Sequence, residues 1–504
     1  MSNLFLQGLQ TVLQPQFIFW QLLGTVVGII FGAIPGLTAV MAIALFLPMT
    51  YGMSMELGIS VLIALYIGAI SGGLISAILL KIPGTPSSVA STWDGGPLAE
   101  KGQAVKALGV GIVFSFLGTI ASLIALVFIA PTLAKIALRF GPHEYFAIAV
   151  FSLTLIASLS TGSIVKGIFS GLVGWVFATV GIAPVDANVR FTFGRYELNN
   201  GFDTLTVLIG LFAITEIIKV AESVKYEQEG TVRQVSMKGV KGFGFSTKEF
   251  ISQIPNFIRS ALIGIGIGIL PGIGGATSNI LSYLVAKNQS KHPEQFGTGI
   301  IDGVVASETA NNATIGGALI PLLTLGIPGD GVTAVMLGGF MVHGIIPGPM
   351  LFRNQANLVY TIFAAVLICS ILMIIIEWFG LRGFIRLLKV PKYILLPIIL
   401  VLCVVGAFGL SSRVFDVWTI LVFGVVGYGF IKFKIPQAPF IIGFILGPMA
   451  ETNLRRGLML SDNSFMGFLT NPISAVFLIL AVLAVLWPLI KALFTKLVRK
   501  PAQS

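Results

Sequence analysis

Charged side chains are scarce in this 504-residue chain, making up 10% of it, whereas hydrophobic residues make up 56%. Soluble proteins carry about a quarter charged residues, so this composition excludes a soluble globular protein. Apolar runs near the 20 or so residues that cross a bilayer recur, for example at 16–34, 57–80, 109–130 and 359–378. The sequence predicts an all-α polytopic membrane protein with about 10 to 12 spanning segments.

Cysteine and histidine are also scarce, with two and three copies respectively. Cys369 and Cys403 lie in separate apolar runs and are interpreted as small apolar fillers. No histidine cluster has metal-ligand spacing, and no Gly-x-x-x-x-Gly-Lys-Ser/Thr pattern occurs, which excludes a nucleotide-driven pump on this chain. A membrane-embedded enzyme stays an alternative, but no nucleophile or acid–base pair stands out. We predict a protein that is not an enzyme, without a cofactor, for which Na⁺ is a candidate coupling ion.

Positive charge is in excess, with a net charge of +11, but it is confined to short stretches. Lys and Arg concentrate at 219–248, 382–392 and 491–500. Basic residues in short loops are typical of the cytoplasmic side of a membrane protein. We therefore predict no nucleic-acid partner, and we interpret 222–249 as a charged cytoplasmic linker.

Glycine is abundant and recurs in two similar patterns. Gly24, Gly28, Gly32 and Gly36 are spaced by four residues, as are Gly264, Gly268 and Gly272, and both ladders end in Pro-Gly. Such ladders favour close helix packing. Later, Gly-Gly precedes Ile-Pro-Gly in both halves, at 72–84 and 316–329. We predict a first repeat half over 1–221, a second repeat region over 250–350, and scaffold helices over 351–504. Repeats with broken helices are typical of transporters, and we predict that these two are inverted.

The Pro-Gly breaks are the candidate substrate site. Proline ends helices, glycine permits unusual backbone geometry, and the freed backbone groups must find partners inside a membrane. Helix amino ends attract carboxylates, although each nearby hydroxyl or amide could instead be a helix cap, and each break a structural kink. The candidate substrate-binding residues are Gly36, Thr38, Lys81, Pro83, Gly84, Thr85, Pro86, Ser87, Ser88, Gly272, Gly274, Thr277, Ser278, Asn279, Pro328 and Gly329.

Acidic and amide residues near the breaks are candidates for cation coupling. Glu308, Asn311 and Asn312 share one helix face by their spacing, and polar groups in a spanning segment suggest function. Asp94 and Asp330 each follow a Pro-Gly break, where either could bind a cation or cap a helix. A passive channel is the main alternative, but it would favour a continuous pore lined by one residue type.

These motifs resemble a known family. The segments 80–88, 94–102, 308–313 and 316–329, with the two ladder ends, are similar to the large membrane subunit of tripartite tricarboxylate transporters over about residues 15–450. Asp330 stands where a small residue is expected. The resemblance implies a permease in a bacterial inner membrane that imports a small carboxylate such as citrate with Na⁺ or H⁺. It also implies two partners, a small membrane subunit and a periplasmic solute-binding protein, and it makes an elevator-like movement plausible.

Overall fold

A computed structural model describes residues 2–159, 163–223, 242–387 and 392–498 of the chain. Within these residues the chain is mostly helical, which confirms the predicted all-α class. One short antiparallel strand pair, Gly181–Ile182 with Val189–Arg190, interrupts the helices. The helices are α1 (Ser2–Val12), α2 (Pro15–Ala33), α3 (Ala39–Thr50), α4 (Met55–Leu80), α5 (Ser91–Glu100), α6 (Ala104–Ala137), α7 (Pro142–Leu159), α8 (Ile164–Ala178), α9 (Thr204–Leu208), α10 (Thr215–Ser223), α11 (Thr247–Ser252), α12 (Ile254–Ile269), α13 (Gly274–Gln289), α14 (Ile301–Leu325), α15 (Gly331–Val342), α16 (Pro349–Asn354), α17 (Ala356–Leu387), α18 (Lys392–Ser411), α19 (Val414–Lys432), α20 (Gln437–Leu460), α21 (Met466–Thr470) and α22 (Pro472–Val498).

Short irregular helices complete these elements. A π-helical segment, Ile209–Ile214, joins α9 to α10 into one continuous helix. Single 3₁₀ turns occur at Pro86–Ser88, Tyr196–Leu198 and Pro293–Gln295.

The chain divides into two compact units. Unit 1 comprises Met1–Ala137 and Leu205–Tyr428, and unit 2 comprises Leu138–Thr204 and Gly429–Ser504. In unit 2, α20 packs along α7 and α8, and α22 packs along α7. All four Pro-Gly breaks belong to unit 1, whereas 138–204 of the predicted first repeat half belong to unit 2. The domain boundaries drawn along the sequence stay predictions, and residues 224–241 of the predicted linker lie outside the described residues.

Six helices of the described residues are long and apolar enough to cross a membrane. Four further apolar helices, α3, α8, α12 and α15, have only 10–17 residues, and the longer α18 and α22 contain the apolar stretches Leu396–Gly409 and Pro472–Leu486. The predicted number, about 10 to 12, is reached only when these shorter helices are counted. The physical reason is that prolines and glycines divide the apolar runs, as where α12 ends before Pro271.

The two repeat regions share an order of elements. Helices α2, α3 and α4 correspond to α12, α13 and α14, and in each set the first helix packs along the third. A Cβ at Gly28 would lie 2.5 Å from the Leu65 carbonyl oxygen, and one at Gly264 would lie 2.4 Å from that of Ala310. The predicted role of the glycine ladders in close helix packing is thereby confirmed. The inverted relation between the repeats stays a prediction.

Helix α11 is joined to the start of α6 by an ion pair. Lys106 donates a hydrogen bond to Glu249, and this bond, with one from the Ser246 backbone N–H, lowers the pKa of Glu249 to about 2. Because the folded-state pKa is below the ordinary value of 4.5, the pair stabilises the fold above that pH. The stabilisation is lost as the pH falls through about 2.

Replacing Lys106 by alanine is therefore expected to loosen α11 at pH 7. The effect should be modest, because both side chains are partly exposed to solvent. Amide hydrogen exchange of Thr247–Ser252 should be faster in the variant, whereas Lys101→Ala, at an exposed position nearby, should leave it unchanged. Equal exchange in all three proteins would mean that the ion pair does not hold α11.

Candidate functional site

The four Pro-Gly breaks are numbered here in chain order, and the second and fourth have matching backbone geometry. They are Pro35-Gly36, Pro83-Gly84, Pro271-Gly272 and Pro328-Gly329. The residue that follows α4, Lys81, has φ 57°, and the residue that follows α14, Gly326, has φ 71°, both in the left-handed region. Three residues later, a Cβ at Gly84 would lie 2.1 Å from the Gly32 carbonyl oxygen, and one at Gly329 would lie 2.5 Å from that of Gly268. Each Ile-Pro-Gly motif therefore returns the chain against the end of its own glycine ladder, where only a glycine fits.

The third break contacts the fourth. Gly272, in the left-handed region with φ 76°, donates a backbone hydrogen bond of 2.7 Å to the Gly329 carbonyl. A Cβ at Gly274 would lie 2.9 Å from Cβ of Asp330. The first break, at Gly36, also has a positive φ of 97°. Beyond it, Cγ2 of Val40 in α3 approaches the fourth break at Gly331.

Several candidate polar residues cap helices. Thr38 accepts a hydrogen bond of 3.1 Å from the Met41 N–H at the start of α3. Asp330 accepts one of 2.7 Å from the Thr333 N–H at the start of α15. Ser88 Oγ donates to the Thr85 carbonyl at 2.9 Å within the second break. These residues thus stabilise the helix ends on both sides of the breaks.

Three residues from different elements of unit 1 meet: Ser87, Gly275 and Asn311, called here the central cluster. A Cβ at Gly275 would lie 2.7 Å from Asn311 Oδ1 and 3.1 Å from Ser87 Cβ. Ser87 and Asn311 are buried. Asn311 Nδ2 donates to the Ile70 carbonyl at 3.3 Å, while its Oδ1 has no hydrogen-bond partner among the described residues. The second break, the first turn of α13 and the middle of α14 therefore converge on an unpaired acceptor.

The amino end of α13 lies at this cluster and differs from those of α3 and α15. The residue before it, Ile273, makes no side-chain cap, whereas Thr38 and Asp330 cap the other two helices. Helix α13 has 16 residues, long enough for an appreciable dipole. Its positive end can attract an anion at the cluster.

One face of α14 carries a buried polar network beside the cluster. Glu308 accepts hydrogen bonds from Ser91 Oγ and, at 3.1 Å, from Ser115 Oγ. Asn312 donates to the same Ser115 Oγ at 2.8 Å. Glu308 is fully buried. On α13, Asn279 accepts from the Ala90 N–H at 2.8 Å and so holds the second break against α13.

Asp94 connects the second break to the loop before α14. Its Oδ1 accepts backbone hydrogen bonds from Gly297, Gly299 and Ile300 at 2.8–3.1 Å, and its Oδ2 accepts from the Tyr283 hydroxyl at 2.8 Å. Both carboxylate oxygens are thereby satisfied by protein donors. Its cation-coupling role stays a prediction, and the contacts themselves describe a structural link.

Three further candidates take different positions. Lys81 is partly exposed and forms an ion pair of 2.6 Å with Glu100. Thr277 is exposed on α13. Ser278 is buried and hydrogen-bonds Thr314 of α14 at 2.7 Å, which fastens α13 to α14. The structure does not bring Lys81 or Thr277 to the central cluster.

Sequence reasoning missed three buried polar residues. The Tyr66 hydroxyl donates to Asp330 at 2.6 Å, so α4 holds the start of α15. Ser115 joins Glu308 and Asn312. Glu377 on α17 accepts from Ser71 Oγ at 2.9 Å. The available signal for Glu377 was an acidic residue in an otherwise apolar run, which suggests function in a membrane helix. Among the described residues no group of three His, Cys, Asp or Glu side chains could hold a metal ion.

Comparison with known proteins shows which family model this chain matches. The model of the tripartite tricarboxylate transporter TctA family matches residues 18–442. An uncharacterized 52.8 kDa protein in the TAR-I ttuC' 3' region of Agrobacterium vitis is 36% identical over 495 residues, covering 98% of this chain and 97% of that one. A second, in the TAR-II ttuC' 3' region of the same organism, is 38% identical over 230 residues, which are 46% of this chain and 95% of that protein. No solved structure matches the chain.

Proposed function

The chain belongs to the tripartite tricarboxylate transporter TctA family, and on that premise we propose that it imports a small carboxylate by cation-coupled secondary transport. Family membership makes it a multi-pass permease subunit and implies further subunits. We propose that these are a small membrane subunit and a periplasmic solute-binding protein, and that the complex lies in a bacterial inner membrane. The imported solute is a di- or tricarboxylate such as citrate.

The central cluster is the observation that carries this proposal. The uncapped amino end of α13 provides positive potential for a carboxylate, and the Ser87 hydroxyl is a hydrogen-bond donor beside it. The broken helices around it lie against protein, as backbone groups at membrane depth must. A carboxylate bound there would exchange its hydrogen bonds to water for hydrogen bonds from the backbone N–H groups at the start of α13 and from the Ser87 hydroxyl.

Charge balance favours cation coupling. The central cluster contains no lysine or arginine, and the one basic residue among the candidates, Lys81, is paired with Glu100 and partly exposed. A bound polycarboxylate would therefore need co-bound positive charge in a medium that screens it poorly. Asn311 Oδ1, an acceptor without a partner among the described residues, can bind Na⁺ or a protonated group. Paired repeats fit alternating access by an elevator-like movement better than a passive channel.

Reconstitution in liposomes tests the proposal. The chain is reconstituted with its small membrane subunit, the cognate binding protein is added outside, and uptake of labelled citrate is followed with and without a Na⁺ or pH gradient. Uptake that requires both a gradient and the binding protein is expected. Equal flux under all conditions would indicate a passive channel and would overturn the proposal.

Replacing Ser87 by alanine tests the site itself. The variant loses one donor to a charged ligand, which is worth about 1.5–3 kcal/mol, so the citrate concentration for half-maximal uptake should rise by about tenfold or more. Ser163→Ala, at an exposed position that makes no cap bond, is the control and should behave as the unmodified protein. An unchanged half-maximal concentration in Ser87→Ala would show that this hydroxyl does not bind the carboxylate. Ser87 Oγ also hydrogen-bonds Thr85 Oγ1 at 3.0 Å, whereas Ser88 bonds the backbone of the break at Thr85 and is therefore a less suitable target.

A further inference from the structure

Glu377 is a buried acid that the proposed substrate site does not use. It lies in α17, inside a helix long and apolar enough to span a membrane, and its side chain is fully buried. Its Oε2 accepts a hydrogen bond of 2.9 Å from Ser71 Oγ of α4. Its Oε1 has no hydrogen-bond partner within the part of the chain that the structure describes. The carboxyl group is thus held on one side and unsatisfied on the other.

Among the described residues, no lysine, arginine or histidine forms an ion pair with this carboxyl. Helix α17 packs against α1, α2, α4, α6 and α16, and Trp378 contacts Phe243 in the segment before α11. Helices α1 and α2 contain no titratable side chain. The group that interacts electrostatically with Glu377 is Glu308 of α14. The other titratable groups on these elements are Glu56 and Tyr66 on α4, Lys106 and Lys135 on α6, Arg353 on α16, Lys248 and Glu249 on the start of α11, and Tyr360, Cys369, Arg382 and Arg386 on α17 itself.

An ionised carboxylate in this place would be costly. Burial away from water disfavours the charged form, and a second carboxylate within electrostatic range disfavours it further. Neutralisation by Na⁺ would need several oxygen ligands, which transporters obtain from unwound backbone. Ser71 and Glu377 both lie inside continuous helices, so the neighbouring carbonyls are used in helical hydrogen bonds. A proton, by contrast, needs only the carboxyl oxygen itself.

We propose that Glu377 is a proton-binding site of this transporter, and that it binds and releases the proton that accompanies the carboxylate. The coupling part rests on the proposed function. The proton enters from the aqueous phase of lower pH, binds a carboxylate oxygen of Glu377, and leaves as H⁺ to the opposite phase, so no other reactant is required. The proton affinity of Glu308 would change when Glu377 binds or releases its proton, because a negative charge on one carboxylate favours the proton on the other.

Helix α4 provides the physical connection between Glu377 and the central cluster. Ser71 binds Glu377, and the adjacent residue, Ile70, accepts a hydrogen bond from Asn311 through its carbonyl. Binding of a carboxylate at the central cluster and protonation of Glu377 therefore act on consecutive residues of one helix. This arrangement allows the two events to influence each other without direct contact.

Infrared difference spectroscopy tests the proton site without any substrate. The reconstituted chain is titrated over the neutral range, and Glu377→Gln is compared with Glu56→Gln, a partly exposed acid in the first turn of α4. A protonated carboxyl band at neutral pH should be present in the unmodified protein and in Glu56→Gln, and its intensity should fall in Glu377→Gln. The same band in all three proteins would overturn the proposal. Ser71→Ala should shift this band, because the hydrogen bond to the carboxyl is lost.

Transport measurements test the coupling. At zero membrane potential, each coupled proton supports about a tenfold citrate ratio per pH unit. Glu377→Gln should lose one such factor in accumulation driven by a pH gradient, yet still exchange internal for external citrate, which demonstrates a folded carrier. Accumulation equal to that of the unmodified protein would overturn the coupling role. If the unmodified complex moves no carboxylate, the proposed function fails, whereas the infrared band still reports the proton on Glu377.

Discussion

Replacing Gly84 by alanine is expected to abolish transport and to lower the thermal stability of the protein markedly. The added Cβ would lie 2.1 Å from the Gly32 carbonyl oxygen, and it would also lie 2.6 Å from Ser76 Oγ. The closest atom belongs to the backbone of a packed helix and cannot move aside as a side chain can. Overpacking of this kind costs about 1–3 kcal/mol, and here it would also displace the break that carries Ser87.

A matched glycine makes this result interpretable. Gly266 lies in α12, and nothing lies within 4 Å of a Cβ placed on it. Gly266→Ala should therefore be neutral or slightly stabilising, since alanine favours helix over glycine by up to about 1 kcal/mol. Fluorescence-monitored unfolding in detergent and citrate uptake in liposomes would be measured on both variants. Equal melting and equal uptake would show that the close approach at Gly84 is not required.

Replacing Asn311 by alanine is expected to have the second large effect, now on transport rather than on stability. The change removes the unpaired Oδ1 at the central cluster and also the hydrogen bond to the Ile70 carbonyl. Loss of a ligand to a charged partner is worth about 1.5–3 kcal/mol, so citrate uptake at limiting substrate and cation should fall about tenfold to a hundredfold. The melting temperature should change less than in Gly84→Ala.

The control for Asn311 is an asparagine of unit 2 whose side-chain amide donates within its own helix. Asn453 donates to the Met449 carbonyl at 2.8 Å, one helical turn earlier, as expected for a structural amide. Asn453→Ala should retain uptake. If Asn311→Ala transports normally while remaining folded, the central cluster is not the site of carboxylate or cation binding, and the proposal of its role fails.

The helix caps illustrate how much of the site was predictable. Thr38 and Asp330 follow Pro-Gly breaks, and a threonine or aspartate in such a place was expected to cap or to bind. The structure shows the caps, because capping depends on residues three positions apart in the chain. The role of the uncapped start of α13 could not be predicted from the sequence in the same way. Its significance depends on Ser87 and Asn311, which lie far from it in sequence.

The acidic residues show what could not be predicted from the sequence. Glu308 and Asn311 were recognised because their spacing places them on one helix face. Glu377 was passed over because its segment contains no repeat motif, and its partner, Ser71, is 306 residues away. Asp94 was predicted as a cap or a cation ligand, whereas its carboxylate is satisfied by the loop before α14. No local pattern reports such partners.

By itself the sequence determined the helical membrane class, the close packing along both glycine ladders and the positions of the helix breaks. These properties depend on hydropathy, on a four-residue period and on proline and glycine, all of which act within a few residues. Only the tertiary structure decided that the second break, α13 and α14 meet at Ser87, Gly275 and Asn311, and that α17 brings Glu377 to α4. Helical periodicity shows which face is buried, but the partner of that face is selected by the packing of distant segments.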